Sequence, residues 1–438
     1  GNGAWSRAAV PFALVSRNAN CSHVGTFVFL FDDTRVSQVR YQITQETCPY
    51  FRYDMWGQAD ATYTPYEVPD ADAVRAAHAA EVADRLPTRP ISQLAVDHPE
   101  ADLDLTAFGS GITPEHLSTY GLLYQGVNYV SDCATRQGTY PFCEAMRMST
   151  FSVAKSAFAA TALMLLAQDR GPGVVDEPIG AWVPEAADPA AGWSDVTIGN
   201  VLDMASGHYE SADYLVDENG WTANSFVLAE TYADRIAVAL GFPRQADPGT
   251  RWVYRTADTF VATTAMQNIL GSDLFDHVRD RVYVPAKLSR GALTTSRTDN
   301  SPTGVPLGGY GLFLTRDDIA KLAMLFNNDG GRIAGEQVLD PDLLAAAMQR
   351  DPEDPGLPTT ESAGSWYNNG FWAAPITPEQ HPRYTCSFRV PFMSGYGGIG
   401  VMMMPNGATY YYVSDNEEYA WVPALDEADK LSPHCPAE

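Results

Sequence analysis

Residues 149–156 read STFSVAKS and lead directly into the apolar run AFAATALMLLA at 157–167. Lys155 is one of only four lysines among 438 residues, and it stands three positions after Ser152. Residues three apart share a helix face, so a helix beginning near 150 brings the Ser152 hydroxyl and the Lys155 amine together. A serine hydroxyl is a weak nucleophile at neutral pH. An adjacent amine activates it when burial or a second cation lowers the amine's pKa. The apolar residues after Lys155 supply that burial. At a helix start the Ser152 amide also lacks an intrahelical acceptor, which suits it to stabilising an oxyanion. A capped helix whose lysine snorkels to solvent is the plainer reading of the same residues.

The composition narrows the classes of function. Asp and Glu number 54 against 28 Lys and Arg, a formal net charge of -26. Such a charge repels nucleic acid and anionic membrane surfaces, so neither is expected as a partner. The apolar run at 157–167 is too short to span a bilayer and reads as a buried helix. Six cysteines, at 21, 48, 133, 143, 386 and 435, include no C-x-x-C pair and have no histidines at zinc-ligand spacing, so no metal is expected. Sequence order favours pairing 21 with 48, 133 with 143 and 386 with 435, one of the fifteen connectivities open to six cysteines. Disulfides imply an oxidising compartment. The start GNGAWS lacks a charged region followed by an apolar one. The expectation is a secreted or periplasmic protein whose signal has been removed.

Residues 1–68 read as a small β-rich module, with strands at 24–31 and 36–44 around the turn-like DDT. Residues 69–109 read as a helical connector, the Ala-rich pattern from 71 to 86 ending before Pro87. Residues 110–430 form the main domain. It opens with two strands joined at Gln125-Gly126, continues through a mostly helical middle to about 290, and closes with a hairpin over 398–416 around Pro405-Asn406-Gly407. Strands, then helices, then strands predict one sheet completed by both ends of the domain.

Four further blocks follow STFSVAKS in order: VTIGNVLDMASGHYESADY (196–214), DPGTRWVYRTADTF (247–260), PLGGYGLFLTRDDIAKLAMLFNNDGG (306–331) and SGYGGIGVMMMPNG (394–407). Over roughly residues 110–425 the chain resembles the serine β-lactamase and penicillin-binding superfamily. Within it the chain is most similar to the class C-related esterases and the 6-aminohexanoate-oligomer (nylon-oligomer) hydrolases. The resemblance implies an α/β (α+β) fold, an antiparallel sheet flanked by helices with a helical subdomain. The N-terminal β module is an addition to it.

Carried over position by position, the resemblance makes Ser152 the acylated nucleophile and Lys155 its proton partner. It makes Tyr254 the tyrosine of a Y-x-N motif, in which Thr256 stands where Asn or Ser is common. The lysine's charge is expected to pull the Tyr254 phenol down from about 10 toward the working range. Tyr396-Gly397-Gly398 takes the place of the third motif, and the Ile399 amide becomes the second oxyanion donor. Tyr396 brings no positive charge to anchor a carboxylate, which disfavours efficient cleavage of penicillins. Asp213-Tyr214 matches a D-Y pair whose tyrosine serves amide substrates by touching the leaving nitrogen. Trp372, in SWYNNGFWAAP (365–375), is expected to line the acyl pocket. His208 is given no role.

The chain contains no G-x-S-x-G elbow, H-E-x-x-H pair or Walker loop. The expectation is therefore a cofactor-free serine hydrolase acting on small or oligomeric esters or linear amides, most simply esters of short acids. The rivals are D-stereospecific peptidase or weak β-lactamase activity, and a binding or sensor protein that keeps the fold without turnover.

Overall fold

A computed structural model describes residues 5–15, 20–46, 54–351, 353–361 and 364–436. The run after Ser152 is helical: Lys155–Ala160 forms a π-helical turn that continues as the α-helix Thr161–Arg170. All residues from Lys155 to Ala167 are buried. A helix apolar on every side is stable only inside a core, and this one packs into the main hydrophobic cluster.

The central sheet has nine strands. In spatial order they are Leu357–Pro358, Trp366–Asn368, Phe371–Ile376, Phe388–Gly395, Ile399–Met403, Thr409–Ser414, Leu117–Tyr124, Val127–Val130 and Thr88–Pro90. Each neighbouring pair is antiparallel except the last, which makes the sheet mixed. Strands from the two ends of the domain meet at Thr409–Ser414 and Leu117–Tyr124, as expected. Every residue of Ile399–Met403 and Thr409–Ser414 is buried. Side chains alternate between the two faces of a strand, and here both faces are covered. Ile399, Val401, Met403, Tyr411 and Val413 enter the core shared with the nucleophile helix. Met402, Tyr410 and Tyr412 enter a second core with the C-terminal helix Val422–Leu431. The turn at Gln125-Gly126 has φ of 49° and 76°, the paired left-handed geometry of a two-residue hairpin.

The N-terminal module is a four-stranded antiparallel meander, Ser6–Val15, Ser22–Phe31, Val39–Glu46 and Met55–Ala59. The middle two strands are those expected. The outer two escape the pattern because SRAAVPFALV holds a proline and three alanines, poor strand formers. Pro11 is tolerated because Ser6–Val15 is an edge strand. The module is tied to the segment that leads into Ser152. Ser22 Oγ donates to the Arg147 carbonyl at 3.0 Å, Tyr140 Oη to the Gly25 carbonyl at 3.0 Å, and Ser149 Oγ to the Asn20 carbonyl.

The expected helix at 71–86 spans Ala71–Ala83 and has no buried residue. The rest of the 69–109 segment is not a free connector. Thr88–Pro90 joins the sheet, and Leu94 and Phe108 pack beside Ala424 and Leu425. Cys133–Cys143 and Cys386–Cys435 are bridged; Cys48, the expected partner of Cys21, lies outside the described residues. Among the described residues no helix is long and apolar enough to cross a membrane.

One close approach fixes the sheet against the nucleophile's segment. A Cβ built on Gly395 would sit 2.4 Å from the Thr150 carbonyl oxygen and 3.3 Å from the Ile399 Cβ, and neither neighbour is a flexible chain end. Gly395→Ala is therefore expected to destabilise the protein by about 1–3 kcal/mol, as overpacking does, read as a lower urea midpoint. Gly173→Ala meets nothing within 4 Å and serves as the control, with a midpoint shift worth less than about 0.5 kcal/mol.

Candidate active site

Ser152 follows a strained turn. Phe151 is buried and has φ of 45°, a conformation that bulky non-glycine residues adopt only where their surroundings impose it. Thr150 imposes it here: its amide and its hydroxyl both donate to the Leu312 carbonyl, at 3.2 and 3.0 Å. The chain then turns into the helix, the Lys155 amide donating to the Ser152 carbonyl at 3.0 Å. Ser152 keeps partial exposure while Lys155 is 1% exposed, so the serine is open to solvent in part and the amine is not.

Lys155 Nζ lies 2.8 Å from Ser152 Oγ, 2.8 Å from Thr256 Oγ1 and 3.4 Å from the Gly309 carbonyl. Among the described residues no carboxylate forms an ion pair with it. Burial disfavours the charged form and holds the Lys155 pKa down at about 8, against an opposing pull from Glu218.

Tyr254 joins the same cluster. Its ring lies under Lys155, with Nζ 4.7 Å from the ring centroid, and its hydroxyl is close enough to Ser152 for the serine to influence its ionisation. The expectation that the lysine's charge would lower the phenol's pKa is overturned. Burial pushes it well above 10, and the nearby Tyr367 and Glu218 push the same way. Tyr254 therefore stays protonated, and the group that titrates near neutrality is the amine.

Thr256, at the third position of the Y-x-N motif, is 5% exposed and faces Lys155. Its amide donates to Glu218 Oε2 at 2.7 Å and its hydroxyl to Glu218 Oε1. Glu218 was not singled out from the sequence. It lies 38 residues before Thr256 in the one-turn helix Val216–Asn219, and no spacing rule links the two.

The hairpin between Phe388–Gly395 and Ile399–Met403 forms another wall. Tyr396 packs its ring edge-on against Phe151, centroids 5.6 Å apart, and is 37% exposed. Gly397 and Gly398 form the turn at φ of 90° and 102°, and the Gly397 carbonyl accepts from Ser414 Oγ and the Glu417 amide. Ile399 is buried in the core with Gly395 and Val413 as strand partners. The part of the hairpin that touches the nucleophile's segment is Gly395-Tyr396.

Beside Tyr254 lies an aromatic cluster. Trp372 stands 5.5 Å from the Tyr254 ring and stacks on Phe392; Trp252 stacks on Tyr214 and meets Trp372 edge-on at 5.3 Å. Tyr214 is 38% exposed at the rim and close enough to Tyr254 to influence its ionisation. His208 is buried, its ring nitrogens facing the Phe242 and Gly192 carbonyls, and is structural. Among the described residues no group of three or more His, Cys, Asp or Glu is arranged to hold a metal ion.

No curated protein sequence matches the chain at a significant level. Solved structures do resemble it, at identities that speak for the fold alone. The hydrolase EstCE1, which has promiscuous acyltransferase activity, is 15% identical with a TM-score of 0.54, over 82% of this chain and 99% of its own. A penicillin-binding protein homologue from Caulobacter crescentus is 18% identical with a TM-score of 0.52, over 75% and 96%. A D-stereospecific amidohydrolase from Streptomyces is 14% identical with a TM-score of 0.50, over 77% and 99%. The family described as Beta-lactamase matches residues 117–422, which include all the residues of the Ser152 site, and the chain belongs to that family.

Proposed function

We propose that the protein is a serine hydrolase that cleaves esters or linear amides through an acyl-enzyme on Ser152. The observation that carries this reading is the 2.8 Å contact between Ser152 Oγ and a buried Lys155 amine. In the first step the neutral amine takes the Ser152 proton as the oxygen bonds to the substrate carbonyl carbon. The developing oxyanion lies beside the Ser152 amide and the 395–399 hairpin, which holds both Ile399 and the Tyr396 backbone. The bond to the leaving group then breaks, the leaving atom receives the Tyr254 proton, and the Lys155 ammonium restores it. Water repeats the sequence in reverse, releasing the acid and freeing Ser152.

The aromatic cluster of Trp372, Trp252 and Tyr214 supports an apolar or aromatic group flanking the scissile bond. Tyr396 and the turn glycines offer no cation for a substrate carboxylate, which favours neutral esters over penicillins. Linear amides form the second substrate class because Tyr214 places another phenol near Tyr254. The two disulfides fit an oxidising compartment, outside the cell or in a periplasm.

Ser152→Ala is expected to abolish hydrolysis of a chromogenic ester and labelling by a fluorophosphonate. Turnover equal to wild type in that variant would sink the proposal and leave the binding-protein alternative.

The amine must be neutral to act, and its pKa is held at about 8. For an ester with no titrating group, kcat/KM is expected to fall about tenfold per pH unit below that value and to level off above it. An activity that rises on acidification would contradict Lys155 as the base.

Tyr214→Phe is expected to slow an anilide more than the matched ester, by about tenfold, since amides need the leaving nitrogen protonated. Equal losses would remove Tyr214 from the amide reaction.

A further inference from the structure

The Glu218–Thr256 contact is not explained by helix capping alone. Glu218 accepts two donors from one residue, the Thr256 amide at 2.7 Å and the Thr256 hydroxyl. A hydroxyl carries a single proton. With that proton committed to the carboxylate, Thr256 Oγ1 can meet Lys155 Nζ, 2.8 Å away, only as an acceptor. The Gly309 carbonyl, 3.4 Å from the same nitrogen, is an acceptor as well. A neutral amine has two N–H groups and one lone pair. When both N–H groups are taken by Thr256 and Gly309, the lone pair is left for the third neighbour, the Ser152 hydroxyl.

The carboxylate is itself held in place. The preceding residue, Asp217, accepts from the Glu210 and Ser211 amides, each at 2.7 Å, and so closes the loop that carries Glu218. Leu215, in the left-handed region with φ of 58°, starts the turn into it. An asparagine at position 256 would present a carbonyl acceptor without help, whereas a threonine hydroxyl rotates and needs a partner to set it.

We propose that Glu218 is a positioning residue for hydrolysis: by taking the Thr256 hydroxyl proton, it makes that oxygen an acceptor for Lys155 and aims the amine's lone pair at Ser152. This inference rests on the Ser152–Lys155 reading above. Glutamine at 218 has the same size but one acceptor oxygen for two donors, so the Thr256 hydroxyl is no longer fixed. The lost charge also leaves a second signature, because the carboxylate favours the ammonium form of Lys155.

The test is fluorophosphonate labelling and ester turnover on the full chain. Labelling of wild type and its loss in Ser152→Ala establish the parent reading, and residual full activity in Ser152→Ala would overturn both. Given that baseline, Glu218→Gln is expected to label about 10- to 100-fold more slowly at pH 7, with KM within about twofold. Its acid limb is expected to move to lower pH, a change that a merely structural role would not produce. Thr256→Val should be as slow, Thr256→Ser should recover to within about threefold, and adding Glu218→Gln to Thr256→Val should cost nothing more. A wild-type rate with an unmoved acid limb in Glu218→Gln, or additive losses in the double variant, would overturn the assignment of Glu218 while leaving Ser152 and Lys155 in place. Thr256→Val and Thr256→Ser carry the same decision if Glu218→Gln does not fold.

Discussion

The site depends on keeping one amine dry. Lys155 sits at the start of a helix with apolar faces all round, under a sheet covered on both sides, so its side chain has nowhere to meet water. Desolvation lowers the cost of the neutral form. The same burial forces Tyr254 the opposite way, toward a phenol that keeps its proton. One environment thus divides the two groups: the Lys155 amine gives up its proton at a lower pH than a free lysine, and the Tyr254 phenol keeps its own to a higher one. No charged partner is needed for this division, and a carboxylate touching Lys155 directly would undo it by stabilising the ammonium.

Glu218 shows how a carboxylate is used without that penalty. It reaches Lys155 through the Thr256 hydroxyl and does not touch the amine, so its hydrogen-bonding influence is felt at full strength while its charge acts from one residue further away. Beneath it, Arg255 and Asp258 form a buried pair that fills the base of the site. Arg255 lies over Phe242 and donates to the His208 and Ala239 carbonyls. Removing either partner of such a buried pair would leave an uncompensated charge in the interior.

The entrance is aromatic and lacks a cation. Tyr214, Tyr396 and Trp372 present rings, and Glu361 adds a negative charge felt at Tyr214. An overall excess of acidic residues makes the surface inhospitable to anionic substrates at longer range. The strained turn at Phe151 and the close approach of Gly395 to Thr150 hold the segment that leads into Ser152 between the N-terminal module and the sheet.

The sequence by itself determined the local features. Ser152 and Lys155 lie one helical turn apart, so their contact follows from helix geometry once the helix is placed. The Gln125-Gly126 turn, the Cys133–Cys143 bridge and the hairpin after Gly398 were likewise legible, because each depends on residues near in sequence. What only the tertiary structure decided is everything that joins distant segments. The direction of the Tyr254 pKa reflects burial among residues distant in sequence, such as Met204, Tyr367 and Trp372, which no motif encodes. Glu218 was invisible because its partner lies 38 residues away and both ends are common residue types. Within the segment read as a connector, Thr88–Pro90 belongs to the sheet because it pairs with Val127–Val130. Three residues are too short a run to carry a periodic signal, so only the neighbouring strand defines them as a strand.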